Sequence, residues 1–321
     1  MLSRKLSRNI VRSREFGILL VILLIGLVLS FVTDTFLTVS NLNSVALGFC
    51  ADGILAFGMT FILISGQIDL SVGSVMGLSA VVAAKLYVDV GLNIWLSALC
   101  AIVAAIALGI LIGWLIAHFR AVPFIITLGM QGVARGLCYV LTSGAPIAIT
   151  GDEVEVFREL GGGNVGGIAS FVIILAVLAV IAQFVLRKTR YFAQVYFIGS
   201  NEKAASYAGV DVVKTKIILY AISAFLACLA GILSLSRFGV ATATLGNQAE
   251  SRAITAAVIG GTAMSGGVGS IIGTVLGLIM VHFVTNGLVL LHVSIYWQDF
   301  ASYLMLVLVI VFDTVRQRKD T

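Results

Sequence analysis

AFGMTFILISGQIDLSVGSVMGLSA, residues 56–80, joins two apolar segments through a polar joint, Ser65-Gly66-Gln67-Ile68-Asp69-Leu70-Ser71. Ile68, Leu70 and Val72 alternate with the polar groups, and glycines stand at 58, 66, 73 and 77, which is not the make-up of a solvated loop. A carboxylate between two membrane-length segments costs roughly 2.5–3.5 kcal/mol on insertion scales and is usually kept for a reason. Irregular backbone at membrane depth survives only against protein or a water-filled path, and small residues let backbones approach closely. Two readings stay open here. One is a tight cytoplasmic turn capped by Asp69; the other is an element of a permeation path.

The rest of the chain agrees with membrane-length segments. Hydrophobic residues make up 60% of the 321 and charged ones 11%, and mean hydropathy is +1.12. That is a polytopic all-α membrane protein, with room for about ten spans of ~20 residues. The two prolines, Pro123 and Pro146, make no linker, so residues 1–321 read as a single transmembrane domain. The net charge of +5 does not mark a nucleic-acid binder, because no run interleaves Lys or Arg with aromatics. Cys50, Cys100, Cys138 and Cys228 lie in apolar segments without C-x-x-C spacing, and His118, His282 and His292 form no ligand set, so no metal site is expected. Phe16–Val32 follows the basic residues Arg4, Lys5, Arg8, Arg12 and Arg14 as a signal peptide would. It lacks an A-x-A site and reads as an uncleaved first helix.

Hydropathy predicts spans at 17–33, 44–65, 72–90, 94–117, 122–143, 168–186, 215–236, 251–265, 268–290 and 298–312. The eighth is short and glycine-interrupted, as a half-span or re-entrant piece would be. Fifteen of the 20 Lys and Arg fall on one side of this topology, which places both termini in the cytoplasm. The outer loop at 144–167 is acidic and glycine-rich, either a docking surface or a solvated connector. In the inner loop, Asn201 caps a helix of about two turns, with Glu202 in its first turn and Gly209 as its stop. Ala204, Ala205 and Ala208 are expected on one of its sides. So short a helix is marginal alone and must be held by the membrane domain or a partner. Ser265-Gly266 and Val268-Gly269-Ser270 with Gly273 echo Ser65-Gly66 and Val72-Gly73-Ser74 with Gly77, as internal repeats of transporters do.

No P-loop, nucleophile elbow, H-E-x-x-H or metal cluster occurs, so no catalytic residue is assigned. There is no carboxylate chain for a proton relay and no Arg ladder. The uncharged groups within the spans suit a neutral, hydroxyl-rich solute better than an ion. Candidate pathway residues are Thr60, Ser65, Gln67, Asp69, Ser71, Thr262, Ser265 and Asn286, each of which has interhelical hydrogen bonding as its rival role. Asp52 lies ~12 Å into the second span from outside and Arg135 ~19 Å into the fifth from inside, one depth in a ~30 Å core. A structural ion pair between them is expected.

Three stretches, GMTFILISGQIDLSVGS, GSNEKAASYAGV and AVIGGTAMSGGVGSIIGT, together resemble the membrane permease of bacterial ribose-type ABC importers. Thr285-Asn286-Gly287-Leu288, Ser294-Ile295-Tyr296-Trp297-Gln298 and Arg135-Gly136 fit the same pattern, so the resemblance runs nearly end to end. It implies an inner-membrane subunit that moves a sugar or polyol, fed by a periplasmic sugar-binding protein and paired with a second permease copy or paralogue. It also implies a cytoplasmic ABC ATPase that holds the ATP and magnesium, with no cofactor on this chain. Asn201, Glu202, Ala204, Ala205, Ala208 and Gly209 would form the coupling helix. Two departures bear on the sugar: Gln67 where many relatives have Gly, and Arg252 where an acidic residue is common. The alternatives are a permease for another solute such as an amino acid, or an ion-coupled transporter resting on the isolated Asp69 and Asp52.

Overall fold

A computed structural model describes residues 14–320, and among them are thirteen helices and four two-residue strands. In chain order the helices are α1 (Arg14–Val32), α2 (Val39–Ile64), α3 (Val72–Val88), α4 (Ile94–Phe119), α5 (Pro123–Thr142), α6 (Asp152–Gly162), α7 (Ser170–Lys188), α8 (Arg190–Ser200), α9 (Glu202–Tyr207), α10 (Val212–Phe238), α11 (Ala249–Ile259), α12 (Ile271–Leu290) and α13 (Ile295–Asp320). Eight of these, α1, α2, α4, α5, α7, α10, α12 and α13, are long and apolar enough to cross a membrane. The other two expected segments are shorter. The 17 residues of α3 reach about 26 Å at 1.5 Å per residue. The 11 residues of α11 reach only about 17 Å, roughly half of a ~30 Å core. Gly260 and Gly261 stop α11, as the glycine interruption predicts. Arg4, Lys5, Arg8 and Arg12 of the expected N-terminal cluster lie outside the described residues.

The core forms around α2 and α10. Every residue from Asp52 to Ser65 is buried, as a helix apolar on all sides must be. α10 runs beside α2 and is flanked by α3 and α4. Lipid tails offer no hydrophobic drive between helices, so close contact has to come from small residues. At Gly109 of α4 a Cβ would stand 2.7 Å from Ala224 Cβ, and at Gly113 one would stand 2.7 Å from Ile217 Cα. Alanine at either position would push α4 off α10.

The segment 144–167 is not the solvated connector that its composition allows. Strand β1 (Ile147–Ala148) pairs antiparallel with β4 (Val240–Ala241), and β2 (Asn164–Val165) turns back on β3 (Ile168–Ala169). Between them α6 docks its apolar side: Val154 and Phe157 are buried, and Phe157 meets Trp95 edge-on at 5.6 Å. Ser236 donates to the Phe157 carbonyl at 2.6 Å and accepts from the Gly161 amide at 2.9 Å. Asp152, Glu153 and Glu155 occupy the first turn of α6, where the helix dipole favours them, and face outward.

Candidate functional site

The joint between α2 and α3 is closed by its own hydrogen bonds. The Ser71 amide and hydroxyl donate to Asp69 Oδ1 at 3.0 and 2.6 Å, and Ser223 of α10 donates to Oδ2 at 2.8 Å. Tyr220 donates to the Ile68 carbonyl at 3.3 Å. Asp69 thus makes an Asx-type turn that starts α3 and pins the joint to α10. Asp69 is 2% exposed in this conformation. Gly66 supplies the left-handed turn, with φ +75°.

The first part of the joint borders open space. Ser65, Gly66 and Gln67 border a cavity of about 760 Å³, closed on its other sides by the α4–α5 corner, by α9 and by the start of α10. Gln67 Oε1 is buried without a protein partner. Arg120, Lys203 and Lys216 also line this cavity, so it opens at the basic end of the bundle, the end that the Lys/Arg bias is expected to place in the cytoplasm.

α9 is capped as its sequence predicts. Asn201 Oδ1 accepts from the Ala204 amide at 3.0 Å, Glu202 meets Lys216 at 2.8 Å, and Gly209 takes φ +87°. Its faces differ from expectation. Ala204 and Ala208 are exposed together, but Ala205 is 4% exposed and turned into the protein. One residue is 100° of helix rotation, so Ala205 cannot share the face of its i and i+4 neighbours. Tyr207, 90% exposed, stands on the outer side instead.

Immediately before α9, Gly199 sits where the two echoing Ser-Gly segments meet. A Cβ on Gly266 would lie 2.8 Å from Gly199 Cα and 2.9 Å from Gly66 Cα. The Gly267 amide donates to the Ile64 carbonyl at 2.8 Å, and Tyr196 of α8 donates to the Gly269 carbonyl at 2.9 Å. Ser265 is exposed on this turn, and Thr262 is buried beside it with an unpartnered hydroxyl. Other candidates are interhelical clasps. Thr60 and Thr274 hydroxyls meet at 2.7 Å between α2 and α12, and the Asn41 and Asn286 amides exchange hydrogen bonds of 3.1 and 2.9 Å.

The expected Asp52–Arg135 pair does not form. Arg252 of α11 binds Asp52 through Nε at 2.7 Å and Nη2 at 3.1 Å, with His282 Nε2 3.3 Å from the same carboxylate. Arg135 donates instead to the carbonyls of Ala243 and Leu245, at 2.5 and 2.8 Å. The physical reason is the unwound stretch 242–248 that leads into α11. Turn hydrogen bonds satisfy the carbonyls of Thr242, Thr244 and Gly246, while those of Ala243 and Leu245 take their donors from Arg135, as backbone at membrane depth must find donors within the protein. Nearby, Gln131 of α5 donates to Glu250 Oε1 at 2.8 Å, while buried Glu250 Oε2 has no partner. A second cavity, of about 170 Å³, lies between α11, α12 and α13.

Residues 41–310 match the family described as the permease component of branched-chain amino acid transport systems. The ribose import permease of Escherichia coli is 36% identical over 305 residues, which cover 93% of each chain. That of Bacillus subtilis is 34% identical over 300 residues, 94% of this chain and 92% of its own. The chain belongs to the ribose-type ABC permease family. A xylose transport system permease of Haemophilus influenzae is also similar, 29% identical over 370 aligned positions that cover 96% of this chain and 99% of its own. No solved structure matches the permease.

The permease is a multi-pass protein of the inner membrane. Sequence reasoning missed three parts of its polar interior: Glu250, Gln131 and His282. Gln131 and Arg135 stand one helical turn apart on α5, and that i, i+4 pairing of polar groups in an apolar segment was the available signal. The partners of Glu250 and His282 are 119 and 200 or more positions away, and nothing in the local sequence points to them.

Proposed function

We propose that this permease is the membrane subunit of an ATP-driven importer that carries a sugar or polyol inward by alternating access. What carries the reading is the end-to-end likeness to ribose and xylose permeases. ATP and magnesium act in a separate ATPase, which receives α9 through Lys203, Ala204, Tyr207 and Ala208. Ala205 anchors α9 to the permease, and Gly199 carries its displacement to the Ser65–Gln67 joint and the 265–267 turn. A periplasmic binding protein delivers solute at the opposite end, where the acidic side of α6 is exposed, and a second permease copy or paralogue completes the path.

The test is reconstitution with its cognate ATPase and binding protein. ATP-dependent uptake of labelled ribose or xylose should require all three components. Uptake by the permease alone under an ion gradient would overturn the proposal. Uptake of a branched-chain amino acid in place of either sugar would reassign the solute.

A further inference from the structure

A groove of about 470 Å³ runs down the outside of the bundle between α7 and α12. On α7 it follows Ala179, Val180, Gln183, Phe184, Arg187 and Lys188, a spacing that keeps to one face of a helix. The first two turns of α12 form the other wall, through Ile271, Ile272, Val275 and Leu276. Gln183 closes the seam between the helices, its Oε1 accepting from the Ile271 amide at 3.2 Å. Ala179 to Lys188 spans about 14 Å at 1.5 Å per residue, close to half of a ~30 Å core. The groove therefore has the depth of one leaflet.

Its surface is apolar, and its charge lies at one end. Arg187 and Lys188 stand in the last turn of α7 and lend their aliphatic stems to the groove, as long basic side chains do near a membrane surface. Both are exposed, and neither forms an ion pair among the described residues. No Asp or Glu occurs from 160 to 201 or from 251 to 298, so α7, α8 and α12 supply no carboxylate to balance them. The dipole of α7 accounts for basic residues in that turn, but not for a leaflet-deep groove below them.

An apolar slot with two unbalanced cations at its mouth fits a lipid with an anionic head group. A free anion has no use for the slot, and a zwitterionic phospholipid brings its own cation to the mouth. A second permease set symmetrically on this face would bring the two Arg187–Lys188 pairs together, like charge against like.

We infer that the groove holds one phospholipid of net negative charge, with an acyl chain between α7 and α12 and its phosphate on Arg187 and Lys188. Basic pockets between transmembrane helices bind lipid head groups in this way. The site is independent of the solute carried. α8 begins at Arg190 and leads through Gly199 to α9, so the bound phosphate steadies the corner from which α9 hangs.

The experiment offers the purified permease an equimolar mixture of dioleoylphosphatidylglycerol and dioleoylphosphatidylcholine and counts the retained lipids by native mass spectrometry. Wild type should retain the glycerol lipid in preference. Arg187→Gln and Lys188→Gln should each lower the ratio of the two about fivefold, the effect of one basic residue at a membrane surface. Arg187→Lys should keep it, and so should Lys214→Gln, which removes a charge elsewhere at the same end. Val180→Trp, which fills the slot, should lose the retained lipid. The ratio is read on folded permease, so the yield of a variant does not enter it. A wild-type ratio in both Gln variants, or an equal fall in Lys214→Gln, overturns the site. Displacement of the lipid by glycerol 1-phosphate alone also overturns it, since the groove would then contribute nothing. Dissociation of a permease dimer by Val180→Trp would give the groove to a second copy instead.

Discussion

Arg252 holds Asp52 by two parallel hydrogen bonds, 2.7 and 3.1 Å long, and so ties the half-helix α11 to the central helix α2. The side chain of Asp52 is 8% exposed and that of Arg252 31%. Breaking a buried pair from one side costs ~3–5 kcal/mol, because the remaining charge is stranded. The asymmetry in exposure sets the order of effects. Arg252→Gln, which strands the deeper group, should lower the thermal stability of the purified permease more than Asp52→Asn. In a double-mutant cycle the paired variant should lose less than the sum. Additive losses would show that the contact contributes nothing.

Asp69 is a turn-former, and its substitutions should behave accordingly. Asp69→Asn keeps an oxygen for the Ser71 amide and can donate to Ser223, so folded yield and transport should both stay near wild type. Asp69→Ala removes all three bonds and should cost about 1–3 kcal/mol, with transport falling in step with membrane abundance. Transport collapsing in Asp69→Asn at normal abundance would return the carboxylate to the pathway.

The two alanines of α9 should separate stability from coupling. Ala205→Glu buries a charge against the permease itself and should reduce inserted, folded protein. Ala204→Glu and Tyr207→Ala alter only the exposed side. They should insert normally while losing most solute-stimulated ATP hydrolysis in the assembled importer. Full stimulation in both would remove α9 from the contact with the ATPase.

Arg135 holds two carbonyls of the unwound stretch before α11. Arg135→Leu leaves both without donors, at about 1–3 kcal/mol each, and should speed hydrogen exchange across 242–248. Arg135→Lys retains a donor and should recover part of the protection. An unchanged exchange rate in Arg135→Leu would mean that other groups satisfy these carbonyls.

Hydropathy alone located the eight membrane-length helices and the shorter α3 and α11, and the glycines at 260 and 261 marked α11 as short. Both signals are local: a span shows itself within about 20 consecutive residues, and a helix stop within two. The cap on α9 was legible for the same reason, since Asn201 and the amide it binds are three positions apart. The Ser-Gly echo was also visible along the chain, although its meaning came from contact. Only packing brings Gly66, Gly199 and Gly266 to one point.

Partnership across the bundle was decided elsewhere. Counting depth along two spans carries an error of several residues, and one helical turn is about 5.4 Å, well beyond hydrogen-bond reach. The count therefore set Asp52 and Arg135 at one level without fixing which cation reaches the carboxylate. Tertiary structure chose Arg252, and Arg135 is taken up by the carbonyls of Ala243 and Leu245 instead. It likewise turned Ala205 inward and assigned Asp69 to Ser71 and Ser223. Composition and periodicity determined that this chain spans a membrane as a helical bundle, and its motifs carried the likeness to sugar permeases. Which polar groups are used up inside it, and which remain open to a solute, follows from hydrogen bonds between residues up to 245 positions apart, set only by three-dimensional packing.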